Sequence, residues 1–145
     1  MSTPDDIEAL RQMRPRHILF LCVQNSARSQ MAEGIARHLA PPGVKISSAG
    51  SQPAFVRPQA VQALAEIGID ISGQSSKAVA DLDTSTVDAV ITLCAEEVCP
   101  VFARPVAKFH WGLPDPAQAM GDKQQAFAEV RNELKQRLEK LFSRP

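Results

Sequence analysis

The hydrophobic pattern divides the chain into alternating strands and helices. Ile18-Leu19-Phe20-Leu21 is an unbroken apolar run, so His17 to Cys22 reads as a strand leaving the core. Arg28 to Leu39 has helical spacing and stops at Pro41-Pro42-Gly43. Val44 to Ser48 alternates as a second strand, Pro53 to Pro58 is a loop, and Pro58 to Ile67 is a helix ended by Gly68. Ser75 to Asp83 is polar, with room for one helical turn. Val87 to Leu93 and Val106 to His110 are the third and fourth strands. Lys123 to Phe142 is a long helix with Phe127, Val130, Leu134, Leu138, Leu141 and Phe142 on one face. Arg131, Lys135, Arg137 and Lys140 are expected to form its solvated face. Ahead of the first strand, residues 4 to 13 read as a short helix. Ser2 or Thr3 can cap it, Pro4 stands near its first turn, and Asp5, Asp6 and Glu8 suit the positive end of its dipole.

Strands alternating with helices imply an α/β fold: three layers, α/β/α, around a four-stranded parallel sheet. Ligands of such sheets lie outside the carboxyl ends of the strands. Cys22, Cys94 and the loop from Trp111 to Pro116 all fall at such ends, so the chemically suggestive segments converge on one edge.

Composition narrows the function classes. A chain of 145 residues is most simply one domain, here a 1–15 extension on a 16–142 core. Sixteen basic residues against sixteen acidic ones leave no net charge, which argues against a nucleic-acid binder. No apolar run approaches a membrane span, and Met1-Ser2-Thr3-Pro4-Asp5-Asp6 is unlike a secretory signal. Three cysteines do not make a disulfide framework, so a cytoplasmic protein with working thiols is expected. A monomer without a tightly bound cofactor is expected as well.

Cys22-Val23-Gln24-Asn25-Ser26-Ala27-Arg28-Ser29 places a thiol at a strand end, followed by a short polar loop and a helix start. Loop amides from Val23 to Ala27 and the helix amino terminus can cradle an anion. Arg28 offers a planar fork for a tetrahedral oxyanion, and the same field favours the thiolate of Cys22. The plainer alternative is a cysteine buried for packing alone. Cys94 and Cys99 are too far apart in sequence for the Cys-x-x-Cys spacing, and a regular helix would not bring them to the ~4.4 to 6.8 Å Cα separation a disulfide needs. They could be two unrelated loop cysteines. A zinc site of Cys94, Cys99 and His110 is a further possibility, although it lacks a fourth ligand unless Cys22 serves; no metal is expected. Asp115-Pro116 could supply a general acid or simply begin a turn, Trp111 reads as a core anchor, and His17, His38 and His110 read as structural or surface residues.

Cys-x5-Arg-Ser after a first strand resembles the low-molecular-weight protein tyrosine phosphatase fold. The string from Asn25 to Gly34 is similar to the thioredoxin-coupled arsenate reductases built on that fold. The likeness continues through Ser48-Ala49-Gly50, Ile69-Asp70-Ile71-Ser72, Thr92-Leu93-Cys94, Cys99-Pro100, His110-Trp111-Gly112 and Asp115-Pro116, about residues 16 to 142. The helix over 4–13 is extra to the minimal family core. The resemblance implies arsenate as substrate, with phosphate or sulfate as mimics, and a relay in which Cys22 attacks arsenic, Cys94 attacks Cys22 and Cys99 attacks Cys94. It further implies Arg28 and Ser29 beside the nucleophile and Asp115 as general acid. Thioredoxin is the implied reductant, with a glutaredoxin system as the other candidate.

Two departures stand out: Cys94 and Cys99 are closer together than in the best-studied members, and Ala27 replaces a cysteine often found in the loop. Some members hold potassium through residues matching Asn25, Glu33 and Ser48. Here the further acidic ligand falls at Lys77, which is expected to order the loop in place of the ion. Two competing functions remain. Cys22, Arg28 and Asp115 alone would suffice for phosphomonoester hydrolysis, but the chain has no Tyr to stand beside Asp-Pro. A non-catalytic arsenite- or zinc-binding thiol module would have no use for an arginine-bearing anion loop.

Overall fold

The computed structural model describes residues 4–94, 102 and 105–143. A central parallel sheet is built on β1 (His17–Cys22), whose six residues are all buried. With β2 (Lys45–Gly50), β3 (Ala89–Thr92) and β4 (Ala107–His110) it forms the order β2-β1-β3-β4, every pairing parallel. Cys22 pairs with Gly50, and Thr92 pairs with both Leu21 and His110, so the strand ends line up along one edge. Both faces are covered, but unevenly. Ile18, Phe20, Ile46, Ala89 and Ile91 pack against the four helices α1 (Pro4–Met13), α2 (Arg28–Leu39), α3 (Pro58–Ala65) and α4 (Lys123–Leu141). Leu19, Leu21, Ala49 and Val90 face a smaller cluster with Val87, Phe102, Leu82 and Val79, the last from a 3₁₀ turn at Val79–Asp81. Among the described residues, no helix is long and apolar enough to cross a membrane.

The element boundaries shift where tertiary partners outrank local preference. β2 runs to Gly50 rather than stopping at Ser48, because parallel pairing with β1 carries Ala49 and Gly50 into the sheet despite glycine's poor strand propensity. β3 begins at Ala89, since the carboxylate of Asp88 turns back to accept the backbone N–H groups of Arg16 and His17 at 2.9 and 3.0 Å. α3 ends at Ala65 and turns through Gly68, whose φ of 79° suits a residue without Cβ. Arg131 and Arg137 are not solvated, contrary to the amphipathic expectation for α4. Arg131 pairs with Glu66 at 2.8 Å and donates to the Ala63 carbonyl, tying α4 to α3. Arg137 pairs with Glu133 and lies 5.8 Å from the centroid of the fully buried Trp111 ring. The expected capping of α1 by Ser2 or Thr3 lies outside the described residues.

Candidate active site

The loop from Val23 to Ala27 is held from outside by its carbonyls. The Val23 carbonyl accepts from Gln52 N at 2.8 Å, and that of Gln24 from Ala54 N at 3.2 Å and Ser76 Oγ at 2.8 Å. The Asn25 carbonyl accepts from Gln30 Nε2 at 3.0 Å, and that of Ser26 from Arg57 N at 2.9 Å. In a trans peptide the N–H of the next residue points opposite to the carbonyl. With four successive carbonyls turned outward, the N–H groups of Gln24, Asn25, Ser26 and Ala27 turn inward, which is an anion nest. Asn25 adopts φ 50°, the left-handed region that Asn tolerates better than most residues. Helix α2 starts immediately afterwards at Arg28 and adds its amino-terminal partial charge.

Cys22 is a free thiol, buried at the floor of this loop. Its Sγ lies 3.0 Å from Ser29 Oγ. Behind Ser29 a buried polar chain begins: Asn25 Nδ2 donates to Ser29 Oγ at 2.8 Å and to Ser48 Oγ at 2.9 Å, and Ser48 donates to Glu33. Glu33 is 2% exposed on its side chain and carries two cations, Arg37 at 3.0 Å and Lys77 Nζ at 3.7 Å. Lys77 also donates its backbone N–H to Asn25 Oδ1 at 2.8 Å and its ammonium to the Ser75 carbonyl at 2.7 Å. The expected group of Asn25, Glu33, Ser48 and Lys77 is therefore one connected network.

Arg28 is nearly buried, and its Nη1 donates to the carbonyls of Leu93 at 3.4 Å and Leu113 at 3.0 Å. Those carbonyls follow β3 and β4, so the guanidinium clamps three strand ends together. Its Nη2 lies 3.9 Å from Asp115 Oδ2. Asp115 caps the 3₁₀ turn Pro116–Gln118 by accepting from Ala117 N at 3.0 Å, which fixes the carboxyl at the rim of the site. Cys22, Ser29, Arg28 and Asp115 thus meet. Cys94 is buried just past β3 and is disulfide-bonded, and the free Cys22 is not its partner. Cys99 lies outside the described residues.

Trp111 is a fully buried anchor, as expected. His17 is structural: its ring nitrogens meet Thr86 Oγ1 at 2.7 Å and Ser47 Oγ at 2.8 Å. Burial, reinforced by the charge of Lys45, pushes its pKa below the ordinary 6.5, against the pull of Asp88 and Asp83. His110 bonds Thr92 Oγ1 at 2.7 Å. Among the described residues no cluster of three His, Cys, Asp or Glu could hold a metal ion.

Sequence reasoning missed Gln30 and Gly50. Gln30 is fully buried and donates to Asn25 O, Asn25 Oδ1 and Ser75 O, so it fixes the loop from behind. Its signals were its place in the family-like string from Asn25 to Gly34 and its being an uncharged polar residue on a helix face that packs inward. Gly50 leaves no space for a side chain, because a Cβ there would stand 2.4 Å from the Val23 carbonyl oxygen.

Residues 17–144, which hold this thiol, arginine and rim carboxyl, match the family model of the low molecular weight phosphotyrosine protein phosphatases. The chain belongs to that family. Helix α1 lies ahead of the matched stretch. Within the family, an arsenate reductase of Shouchella clausii is 41% identical over 134 residues, spanning 89% of this chain and 96% of the relative. A solved arsenate reductase in the phosphate binding state superposes with a TM-score of 0.75 at 35% identity, over 88% of this chain and 97% of that one. A thioredoxin-dependent arsenate reductase of Corynebacterium glutamicum superposes with a TM-score of 0.64 at 29% identity, covering 91% of this chain and 67% of that one.

Proposed function

We propose that this chain is an arsenate reductase working by a cysteine relay. The observation that carries the reading is Cys94: a disulfide-bonded cysteine at the end of the strand beside β1, next to a nest that already holds a nucleophile. A hydrolase has no use for it, whereas a reductase needs a second thiol within reach of the first.

The relay starts from the reduced enzyme, with the disulfide at Cys94 already opened, and runs in four steps. Arsenate enters the nest, where inward amides and Arg28 hold its oxygens. The Cys22 thiolate, steadied by Ser29, attacks arsenic, and Asp115 protonates the departing oxygen, which leaves as water. Cys94 thiolate attacks Cys22 Sγ. A sulfur–sulfur bond forms, the sulfur–arsenic bond breaks, and its electron pair stays on arsenic, which leaves as arsenite. Cys99 then attacks Cys94, freeing Cys22 and leaving a disulfide to be reduced from outside. Both electrons come from the thiols, so the chemistry calls for no bound cofactor or metal. Asn25, Ser48, Glu33 and Lys77 order the loop, and the ammonium of Lys77 occupies the place of a mobile cation. The external reductant is thioredoxin, the partner named for the Corynebacterium glutamicum relative. The protein acts as a cytoplasmic monomer.

Phosphate is a near-isostere of arsenate, so slow phosphomonoester hydrolysis by Cys22, Arg28 and Asp115 accompanies this activity. The deciding experiment is arsenate-dependent NADPH consumption with thioredoxin and its reductase, run beside a glutathione and glutaredoxin system. Turnover with neither, together with efficient hydrolysis of aryl phosphates, would replace the reductase by a phosphatase.

A further inference from the structure

The polar chain behind Cys22 runs one side chain further than Gln30. Gln74 Nε2 donates to the Gln30 backbone carbonyl at 3.1 Å and to Gln30 Oε1 at 2.8 Å. Gln30 Nε2 lies 2.9 to 3.0 Å from three oxygens, Asn25 O, Asn25 Oδ1 and Ser75 O. The Lys77 backbone N–H, which can only donate, meets Asn25 Oδ1 at 2.8 Å and so marks that atom as the oxygen. All three partners of Gln30 Nε2 are therefore acceptors. The Gln30 amide has one orientation that suits them, with nitrogen toward Asn25 and oxygen toward Gln74. Gln30 is fully buried, so its Oε1 depends on the donor that Gln74 supplies. Gln74 can approach because Gly34, one turn along α2 from Gln30, has no side chain. A Cβ there would stand 2.5 Å from Ile71 Cγ2 and 3.5 Å from Gln74 Oε1. The Gln74 N–H is also bonded to the carbonyl of the buried Ile71 at 3.0 Å, so the amide is delivered from a fixed turn.

We propose that Gln74 is a positioning residue for the Cys22 nucleophile, acting through the orientation of the Gln30 amide. The proposal deepens the arsenate-reductase reading above and rests on it for the reaction affected. The direction of each hydrogen bond carries the effect. With Gln30 donating to both oxygens of Asn25, the loop keeps Asn25 at φ 50° and its side-chain nitrogen toward Ser29. Ser29 Oγ accepts there, so its own proton is free for Cys22 Sγ, 3.0 Å away. A hydroxyl that donates to sulfur favours the thiolate. Gln74 bonds Gln30 rather than the sulfur, and its influence travels through this fixed polarity. A carboxylate of the same shape at position 74 would set oxygen against Gln30 Oε1. Turning the Gln30 amide over relieves that contact, but its oxygen then faces Asn25 O, Asn25 Oδ1 and Ser75 O. Displaced or turned over, Gln30 no longer holds the loop that forms the nest. Protonating the new carboxyl restores one donor and with it the original direction.

The test uses the full chain and its Gln74→Glu, Gln74→Met and Gln124→Glu variants, the last a control whose amide bonds the Gln59 carbonyl, away from the site. Binding of inorganic phosphate to the reduced proteins is measured by calorimetry from about pH 8 to about pH 5.5, with kcat/KM for arsenate over the same range. At the upper end Gln74→Glu is expected to weaken phosphate binding about tenfold or more relative to wild type, and to lower kcat/KM at least as far. The ratio to wild type should close to within about threefold at the lower end, as the new carboxyl takes up a proton. Gln74→Met removes the donor without setting an oxygen in its place, and should lose about threefold or more at a ratio that does not change with pH. Gln124→Glu should match wild type throughout. Phosphate binding by Gln74→Glu within about twofold of wild type at the upper end overturns the proposal. A loss at the same ratio at every pH overturns it as well, because position 74 would then act through packing. Should Gln74→Glu fail to fold, Gln74→Met decides, and phosphate binding within about twofold of wild type overturns the proposal. Phosphate binding that responds to position 74 as expected, in a wild type that reduces arsenate with neither thioredoxin nor glutaredoxin, supports the positioning role and overturns the reductase reading beneath it.

Discussion

Replacing Gly50 by alanine adds one methyl group where the nest has no room for it. The new Cβ would stand 2.4 Å from the Val23 carbonyl oxygen, 2.8 Å from that of Cys22 and 2.9 Å from Asn25 N. All three are backbone atoms, so no side chain can swing aside. Gly50 cannot retreat either, because its N–H is bonded to the Lys77 carbonyl at 2.9 Å and its Cα is in register with Cys22. Relieving the shortest contact to an ordinary van der Waals distance requires a displacement of about 1 Å between β2 and the loop, an overpacking that costs about 1–3 kcal/mol. For a chain of this size that lowers Tm by roughly 2–12 °C. Activity should suffer more than stability, because a misplacement of about 1 Å in a reacting constellation costs about 10²-fold. The control is Gly73→Ala, where a Cβ meets nothing within 4 Å. Urea unfolding and kcat/KM for arsenate, measured on both variants, check the reasoning. It fails if Gly50→Ala keeps kcat/KM within about threefold of wild type, or if Gly73→Ala is damaged as badly.

Cys22→Ser should abolish arsenate reduction, since a hydroxyl is not a usable nucleophile in this nest, and Arg28→Lys should lower kcat/KM by about 10²-fold or more because a point charge cannot replace the clamped planar group; steady-state assays decide both. Cys94→Ser should leave arsenic trapped on Cys22, whereas Cys99→Ser should complete one turnover and stop with a Cys22–Cys94 bridge; peptide mapping after stoichiometric arsenate distinguishes them. Lys77 lies 3.7 Å from Glu33, and a potassium ion within ~4 Å of its ammonium would be repelled by roughly 4 kcal/mol at an effective dielectric of 20, so wild-type kcat/KM should be the same in potassium and sodium chloride at equal ionic strength. Lys77→Gln should create a potassium response, and a several-fold potassium stimulation of the wild type would refute the substitution of lysine for the ion. His17 has a folded-state pKa below its ordinary 6.5, chiefly through burial, so its contribution to stability is complete above pH 6.5 and is lost as pH falls through the folded value. Denaturant midpoints between pH 8 and pH 5 should fall accordingly, with a shallower fall in His17→Gln; parallel curves would exclude His17 as the cause.

The strand–loop–helix around Cys22 is legible in the order of residues alone. The apolar run of β1, the polar loop and the periodicity of α2 are local patterns, and their boundaries coincide with His17–Cys22 and Arg28–Leu39. The same order also places Asp115 at a turn, because Asp-Pro forms its hydrogen bond within three residues. The contacts that join segments distant along the chain were not legible there. That Gly50 must lack a side chain follows from the approach of β2 to the loop after β1. The role of Gln30 depends on Asn25 and Ser75 arriving on either side of it. Arg131 and Arg137 occupy positions on α4 that periodicity assigns to water, yet α3 and Trp111 claim them. Lys77 could be matched to Glu33 only by analogy of register, and the ion pair depends on the 75–77 segment folding back against α2. Local hydrogen bonds and periodicity act within a few residues and are written in the order of the chain. Packing and buried charge act across it, and are fixed only when the sheet is assembled.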